Sequence, residues 1–127
     1  FHNIGLIPDG GINWLLERQI GARRAFELAV ARERVPAARC RELGLVNRVV
    51  PHGEATAAAL QWAERLAARA PLAILHTKRM LRQAAALDFK QFRATEAAAQ
   101  ARCVDSEDFR EGVAAFLEKR APRFSGR

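Results

Sequence analysis

What most constrains this chain is a shortage of strands. In 127 residues, two runs have extended character: Ile4-Gly5-Leu6-Ile7 and Leu45-Val46-Asn47-Arg48-Val49-Val50. A strand must pair its backbone amides and carbonyls, and a sheet needs three or more strands with an apolar face to stand alone. Residues 5–7 and 46–50 would each need partners that this sequence does not contain. The expectation is that their partners lie in sequence upstream, and the opening on Phe1 rather than methionine agrees with that.

The rest reads as helix. About a fifth of the residues are alanine and none is tyrosine, a balance that favours packed helices over sheet. Periodic apolar positions predict helices over 12–20 and 22–32, broken at Gly21. Pro36 opens a short third helix that Gly44 ends. Beyond Pro51-His52-Gly53, helices are expected over 54–69, 72–87, 89–102 and 106–120. The last carries an apolar stripe of Phe109, Gly112, Val113, Phe116 and Leu117. Ala121 to Arg127 reads as a basic tail with one aromatic, Phe124.

Composition excludes several classes. Half the residues are hydrophobic and 28% are charged, as in globular rather than disordered protein. No apolar run approaches the ~20 residues of a membrane-spanning helix, and the opening residues do not read as a charged-then-apolar leader, which sequence before Phe1 would hide. Cys40 and Cys103 lack CxxC spacing and read as reduced thiols of a cytoplasmic protein. His2, His52 and His76 are scattered without paired ligand spacing, so no metal site is expected. The net charge is +7, with Lys78, Lys90 and Lys119 the only lysines, and suits an acidic partner of unspecified kind. The arginines are spread over every helix and interrupted by acids, as in Arg32-Glu33-Arg34 and Arg41-Glu42. A nucleic-acid-binding face would cluster them.

One constellation invites chemistry: Ile7-Pro8-Asp9-Gly10-Gly11, a turn before a helix. Its carboxylate could act as a general base on a substrate lying over the glycines. Equally, Asp9 could cap the helix that follows.

The segment Phe1-His2-Asn3-Ile4-Gly5-Leu6-Ile7-Pro8-Asp9-Gly10-Gly11-Ile12-Asn13-Trp14-Leu15-Leu16 resembles the central part of the crotonase superfamily, the enoyl-CoA hydratases and isomerases. The likeness continues through Gly21-Ala22-Arg23-Arg24-Ala25 and Leu43-Gly44-Leu45-Val46-Asn47-Arg48-Val49-Val50. It returns at Ala70-Pro71, at Thr77-Lys78, and from Asp108-Phe109-Arg110-Glu111-Gly112 through Glu118-Lys119-Arg120-Ala121-Pro122-Arg123-Phe124. The resemblance implies an α/β fold, a spiral of ββα turns followed by a helical region that packs a homotrimer or a dimer of trimers. On that reading the chain is the C-terminal half. Residues 1–52 end the spiral core and carry Asp9, and 53–127 form the helical trimerisation region.

The resemblance also implies the chemistry. An acyl-CoA thioester is the substrate, and no separate cofactor, metal, nucleic acid or membrane is involved. The reaction runs through a thioester enolate held by two backbone amides, both in segments upstream of Phe1, so Gly10 and Gly11 are not that oxyanion hole. Hydratases of the superfamily carry two glutamates, one of them at the position of Phe1, which cannot transfer a proton. Isomerases, among them the phenylacetate-pathway ring-epoxide isomerase and the Δ3,Δ2- and dienoyl-CoA isomerases, carry a carboxylate at the position of Asp9. This implies an isomerase with Asp9 as its catalytic residue and Phe1, Gly10 and Trp14 against the substrate. Trp14 could otherwise be a core aromatic.

Lys119 matches a position that reaches the CoA of a neighbouring subunit, although Gln100 stands where an aromatic usually helps it. Lys78 reads as a wet-face lysine. Glu17, where the family commonly has proline, reads as a surface substitution, and His76 as a residue that packs or caps. The alternatives are an enoyl-CoA hydratase, a basic helical nucleic-acid-binding module, and an assembly piece inactive by itself.

Overall fold

The computed structural model describes residues 1–31 and 34–127. Among the described residues, seven α-helices follow a 3-10 turn at His2–Ile4: α1 (Ile12–Ile20), α2 (Ala22–Val30), α3 (Ala37–Glu42), α4 (Ala55–Ala67), α5 (Pro71–Gln83), α6 (Phe89–Val104) and α7 (Glu107–Leu117). They fall into two compact units, Phe1–Thr56 and Ala57–Arg127. Of the second expected helix, Arg32 lies outside the described residues, as does the Arg32-Glu33 part of the charge alternation.

No strand forms among the described residues, which corrects the expectation for residues 45–50. The segment after α3 is irregular because no strand among the described residues offers it a backbone to pair with. Residues 1–6 likewise close a tight turn rather than extend: the amides of Ile4 and Leu6 donate to the Phe1 carbonyl at 3.0 and 3.1 Å.

In the first unit, α1 and α2 are joined at Gly21 and pack on each other. In the second, α6 packs against both α5 and α7. Side-chain caps set two helix starts. Asp88 accepts from the Gln91 amide at 2.8 Å while the Gln91 side chain accepts from the Asp88 amide, a reciprocal capping box. Ser106 accepts from the Phe109 amide at 3.0 Å and donates its hydroxyl to the Cys103 carbonyl at 2.6 Å, so one buried side chain ends α6 and begins α7.

The C-terminal residues are not a loose tail. Asp108, only 3% exposed, accepts from the amides of Ser125 and Gly126 at 2.6 and 2.9 Å, while its own amide donates to the Arg127 carbonyl at 3.0 Å. One turn further along α7, Glu111 takes a two-pronged guanidinium bond from Arg120 at 2.6 and 2.9 Å and the Arg123 amide at 2.7 Å. Residues 120–127 are thereby strapped along α7, and Phe124 is carried against its apolar stripe.

The hydrophobic core is small. Ala25, Leu43 and Ala115 are the buried apolar residues among those described, and no large side chain is fully enclosed. The stripe on α7 does not seal: Phe116 is 82% exposed, and with Leu72, Cys103, Phe109, Val113 and Phe124 it lines an open apolar hollow of about 370 Å³. Cys40 and Cys103 are both free thiols.

Candidate active site

The turn before α1 is built by its glycines. Gly10 and Gly11 both hold left-handed conformations, with φ of 63° and 81°, which cost a side-chain-bearing residue about 1 kcal/mol or more. Two such residues in succession fold the chain back on itself, so that the Ile12 amide donates to the Asp9 carbonyl at 3.2 Å. The Asn13 side chain donates to the Pro8 carbonyl at 2.9 Å and pins the other limb. These bonds fix the backbone of Asp9 through its neighbours and leave its side chain uncommitted.

The carboxylate of Asp9 is exposed and takes no hydrogen bond or ion pair among the described residues. The capping reading of Asp9 is therefore corrected. Gly11 stands at the N-cap of α1 and no side chain caps that helix, because the double-glycine turn inserts two residues between Asp9 and the first helical turn.

The other expected site residues fall as follows. Phe1 is 62% exposed, and its carbonyl closes the 3-10 turn. Trp14, on the first turn of α1, is 59% exposed, with the Arg18 guanidinium stacked 3.8 Å above its ring. It is not a core residue of this chain. Phe1, Asp9, Gly10 and Trp14 thus share one segment of the first unit and all present accessible atoms. None of them lines the shallow hollow beside the turn, which is formed by His2, Pro8, Asn13, Glu17, Ala25 and Phe26 and measures about 270 Å³. Glu17 lines that hollow and lies 3.8 Å from Arg18, with its side chain 55% exposed, as a surface residue would be.

Lys119 belongs to the second unit, where it is exposed and has φ of 54°, the one non-glycine residue described with a left-handed backbone. The Lys119 amide donates to the Phe116 carbonyl at 3.3 Å and the Arg120 amide to the Ala115 carbonyl at 3.0 Å, the paired bonds of a Schellman helix end. Sequence reasoning missed the carboxylate pair Asp108 and Glu111. Their signal is present as two acids three residues apart on one helix face, followed by Arg120 and Arg123. Among the described residues no group of His, Cys, Asp and Glu could hold a metal ion, and no helix is long and apolar enough to cross a membrane.

An acid on a glycine turn leading into a helix, followed by helices whose apolar faces stay open, fits the C-terminal part of the crotonase fold. Solved structures agree. An enoyl-CoA hydratase from Polaromonas sp. JS666 superposes with a TM-score of 0.91 at 39% identity, over 97% of this chain and 48% of that one. The family model for enoyl-CoA hydratase/isomerase matches residues 1–127, and the chain belongs to that family.

Among curated relatives, a probable enoyl-CoA hydratase of Rhodobacter capsulatus is 39% identical over 134 residues, covering all of this chain and 49% of the relative. The 1,2-epoxyphenylacetyl-CoA isomerase of Escherichia coli is 35% identical, covering all of this chain and 48% of that protein. The chain spans about half the length of the curated relatives it matches. Hydratase names are the more common among them, with isomerase names present.

Proposed function

We propose that this chain contributes the acid/base carboxylate of an acyl-CoA isomerase, working in the cytoplasm on a CoA thioester. The observation that carries the reading is Asp9: an accessible, uncapped carboxylate on a rigid double-glycine turn. At Phe1, where a hydratase of the superfamily would carry its second glutamate, there is no proton-transfer group. Asp9 takes a proton from a carbon of the acyl chain. The resulting enolate is stabilised by two backbone amides in segments that the family places before Phe1, and the proton is returned at another carbon of the chain. Phe1 and Trp14 form an apolar flank, and Gly10 allows the acyl group to approach the backbone.

Lys119 is assigned to the CoA phosphates of a neighbouring subunit, which gives part of the +7 charge a use. The open apolar faces of α7 and α1 support assembly as a homotrimer or a dimer of trimers. Without the oxyanion amides, the 127 residues alone are expected to show no turnover. The kinship with 1,2-epoxyphenylacetyl-CoA isomerase supports the phenylacetate branch, in which the substrate carries an aromatic ring.

The test is made on protein that also carries the upstream half. Asp9→Asn keeps the shape of the side chain and removes its proton affinity, so kcat for isomerisation should fall about 10²–10⁴-fold with KM little changed. The competing reading, an enoyl-CoA hydratase, is favoured by the prevalence of hydratase names among the relatives. Rapid hydration of a 2-enoyl-CoA that is indifferent to Asp9→Asn would establish it in place of the isomerase.

A further inference from the structure

The geometry points to a second anion site on this chain, in the groove between α5 and α6, with the chemistry to hold a phosphate or diphosphate group. His76, Arg79 and Gln83 come from one face of α5 at three- and four-residue spacing, and Thr95 and Arg102 face them from α6. Ala98 and Ala99 keep the floor low, and Arg79 and Arg102 line an open trough of about 230 Å³.

Three observations select an anion. No carboxylate lines the groove among the described residues. Arg79, Arg102 and His76 have no ion pair or hydrogen bond among the described residues, as is true of Arg65, Arg69, Arg82 and Arg110 in the same unit, and what marks the first three is that they line one groove. Arg79 and Arg102 line the same trough from different helices, and a planar guanidinium matches the oxygen spacing of phosphate two bonds at a time. His76 is also half-buried within α5 rather than at its end, so it caps nothing. Its ring and the Gln83 amide can donate to oxygens that the arginines leave open, whereas the Thr95 hydroxyl is committed to the Gln91 carbonyl at 3.1 Å.

Size narrows the ligand class. The trough is smaller than the roughly 300–1,000 Å³ that encloses a drug-sized molecule. It therefore takes one or two phosphate groups, either as a free inorganic anion or as the phosphorylated end of a larger molecule that extends into solvent. This assignment does not rest on Asp9 or on the isomerase reading.

The test uses calorimetric titration of the full chain at about 0.15 M salt, where diffuse charge effects are largely screened. The probes are pyrophosphate and adenosine 3′,5′-bisphosphate. Saturable binding of at least one is expected, weakened about tenfold or more by Arg79→Gln and separately by Arg102→Gln. Arg110→Gln, the same charge change on an exposed α7 residue outside the groove, should leave binding unchanged. Far-UV circular dichroism shows whether each variant keeps its helices, and Arg79→Lys, which retains charge but loses the two-pronged geometry, should bind between wild type and Arg79→Gln. Tighter binding of the bisphosphate assigns the groove to a nucleotide end, and tighter binding of pyrophosphate to a free inorganic anion. Equal weakening by all three glutamine variants, or no saturable binding of either probe, overturns the site.

Discussion

Lys119 and Gly44 hold the same place in the same motif. Each stands two residues past the last turn of its helix with a left-handed backbone, φ 54° for Lys119 and 77° for Gly44. In each case the following amide reaches back to close the helix end: Leu45 to Cys40 at 2.9 Å, and Arg120 to Ala115 at 3.0 Å. Glycine adopts that conformation freely, whereas lysine bears a steric cost of about 1 kcal/mol. Lys119→Gly should therefore stabilise the isolated chain by about 1 kcal/mol, raising Tm by about 3–5 °C in a thermal melt followed by circular dichroism. In the assembled enzyme the same substitution should raise KM for acyl-CoA, in line with the role proposed for Lys119. A Tm that stays level or falls would mean that the lysine side chain contributes more than its backbone costs. Gly44 was legible from sequence as a stop because glycine is the residue that a stop selects. Lys119 was not, since nothing in Glu118-Lys119-Arg120 breaks a helical pattern, and the expected helix runs on to residue 120 while the structure ends it at Leu117. The turn at Asp9 lay between these cases. Its glycines announced the bend, but whether the carboxylate capped α1 depended on where the helix begins, which periodicity places only to within a few residues.

At the scale of elements, α7 and its strap act as one unit through two carboxylates. Asp108 is satisfied by backbone amides, whereas Glu111 is held mainly by the Arg120 side chain, then by the Arg123 amide. Together these pull its pKa from 4.5 to about 2, against a smaller opposing effect of desolvation. The sign follows from linkage. A carboxyl with a lower pKa in the folded chain than in the unfolded one contributes stability that is fully present above about pH 4.5. That contribution is lost progressively as pH falls from there toward 2. Glu111→Gln should lower Tm at neutral pH and flatten the Tm-against-pH curve between about 4.5 and 2, measured by melts at a series of pH values. A variant with the same acid limb as wild type would place the pH dependence elsewhere. Local patterning gave the helices well: α1 falls on residues 12–20 as expected, and α5 and α6 start within one residue of expectation. The strap was not legible, because it depends on pairing α7 with residues 9–19 positions away, and helical periodicity carries no information about such contacts.

For the whole molecule, the strand shortage and the thin core are one fact. Residues 45–50 have strand composition without a strand, and the α7 stripe has core composition without a core. Both kinds of order require a surface that the 127 residues do not supply. Phe1, Ile7, Trp14, Phe26, Phe89, Phe116 and Leu117 are all more than half exposed, far more apolar surface than a monomer keeps in water without consequence. Each buried aliphatic or aromatic side chain is worth about 1.5–3 kcal/mol, so association that covers even a few of them rivals the marginal stability of a small domain. Folding and association are then linked by mass action. Tm should rise with chain concentration between about 1 and 100 µM, and sedimentation velocity should show mass moving from monomer into a larger species over the same range. Phe116→Glu places a charge at the most exposed point of the α7 hollow and should remove most of that concentration dependence while leaving the helical signal of the dilute chain intact. A wild-type chain that sediments as a monomer throughout, with a Tm independent of concentration, would show that these faces are stable in water by themselves. The homo-oligomeric assembly proposed above would then lose its physical basis in this half of the fold.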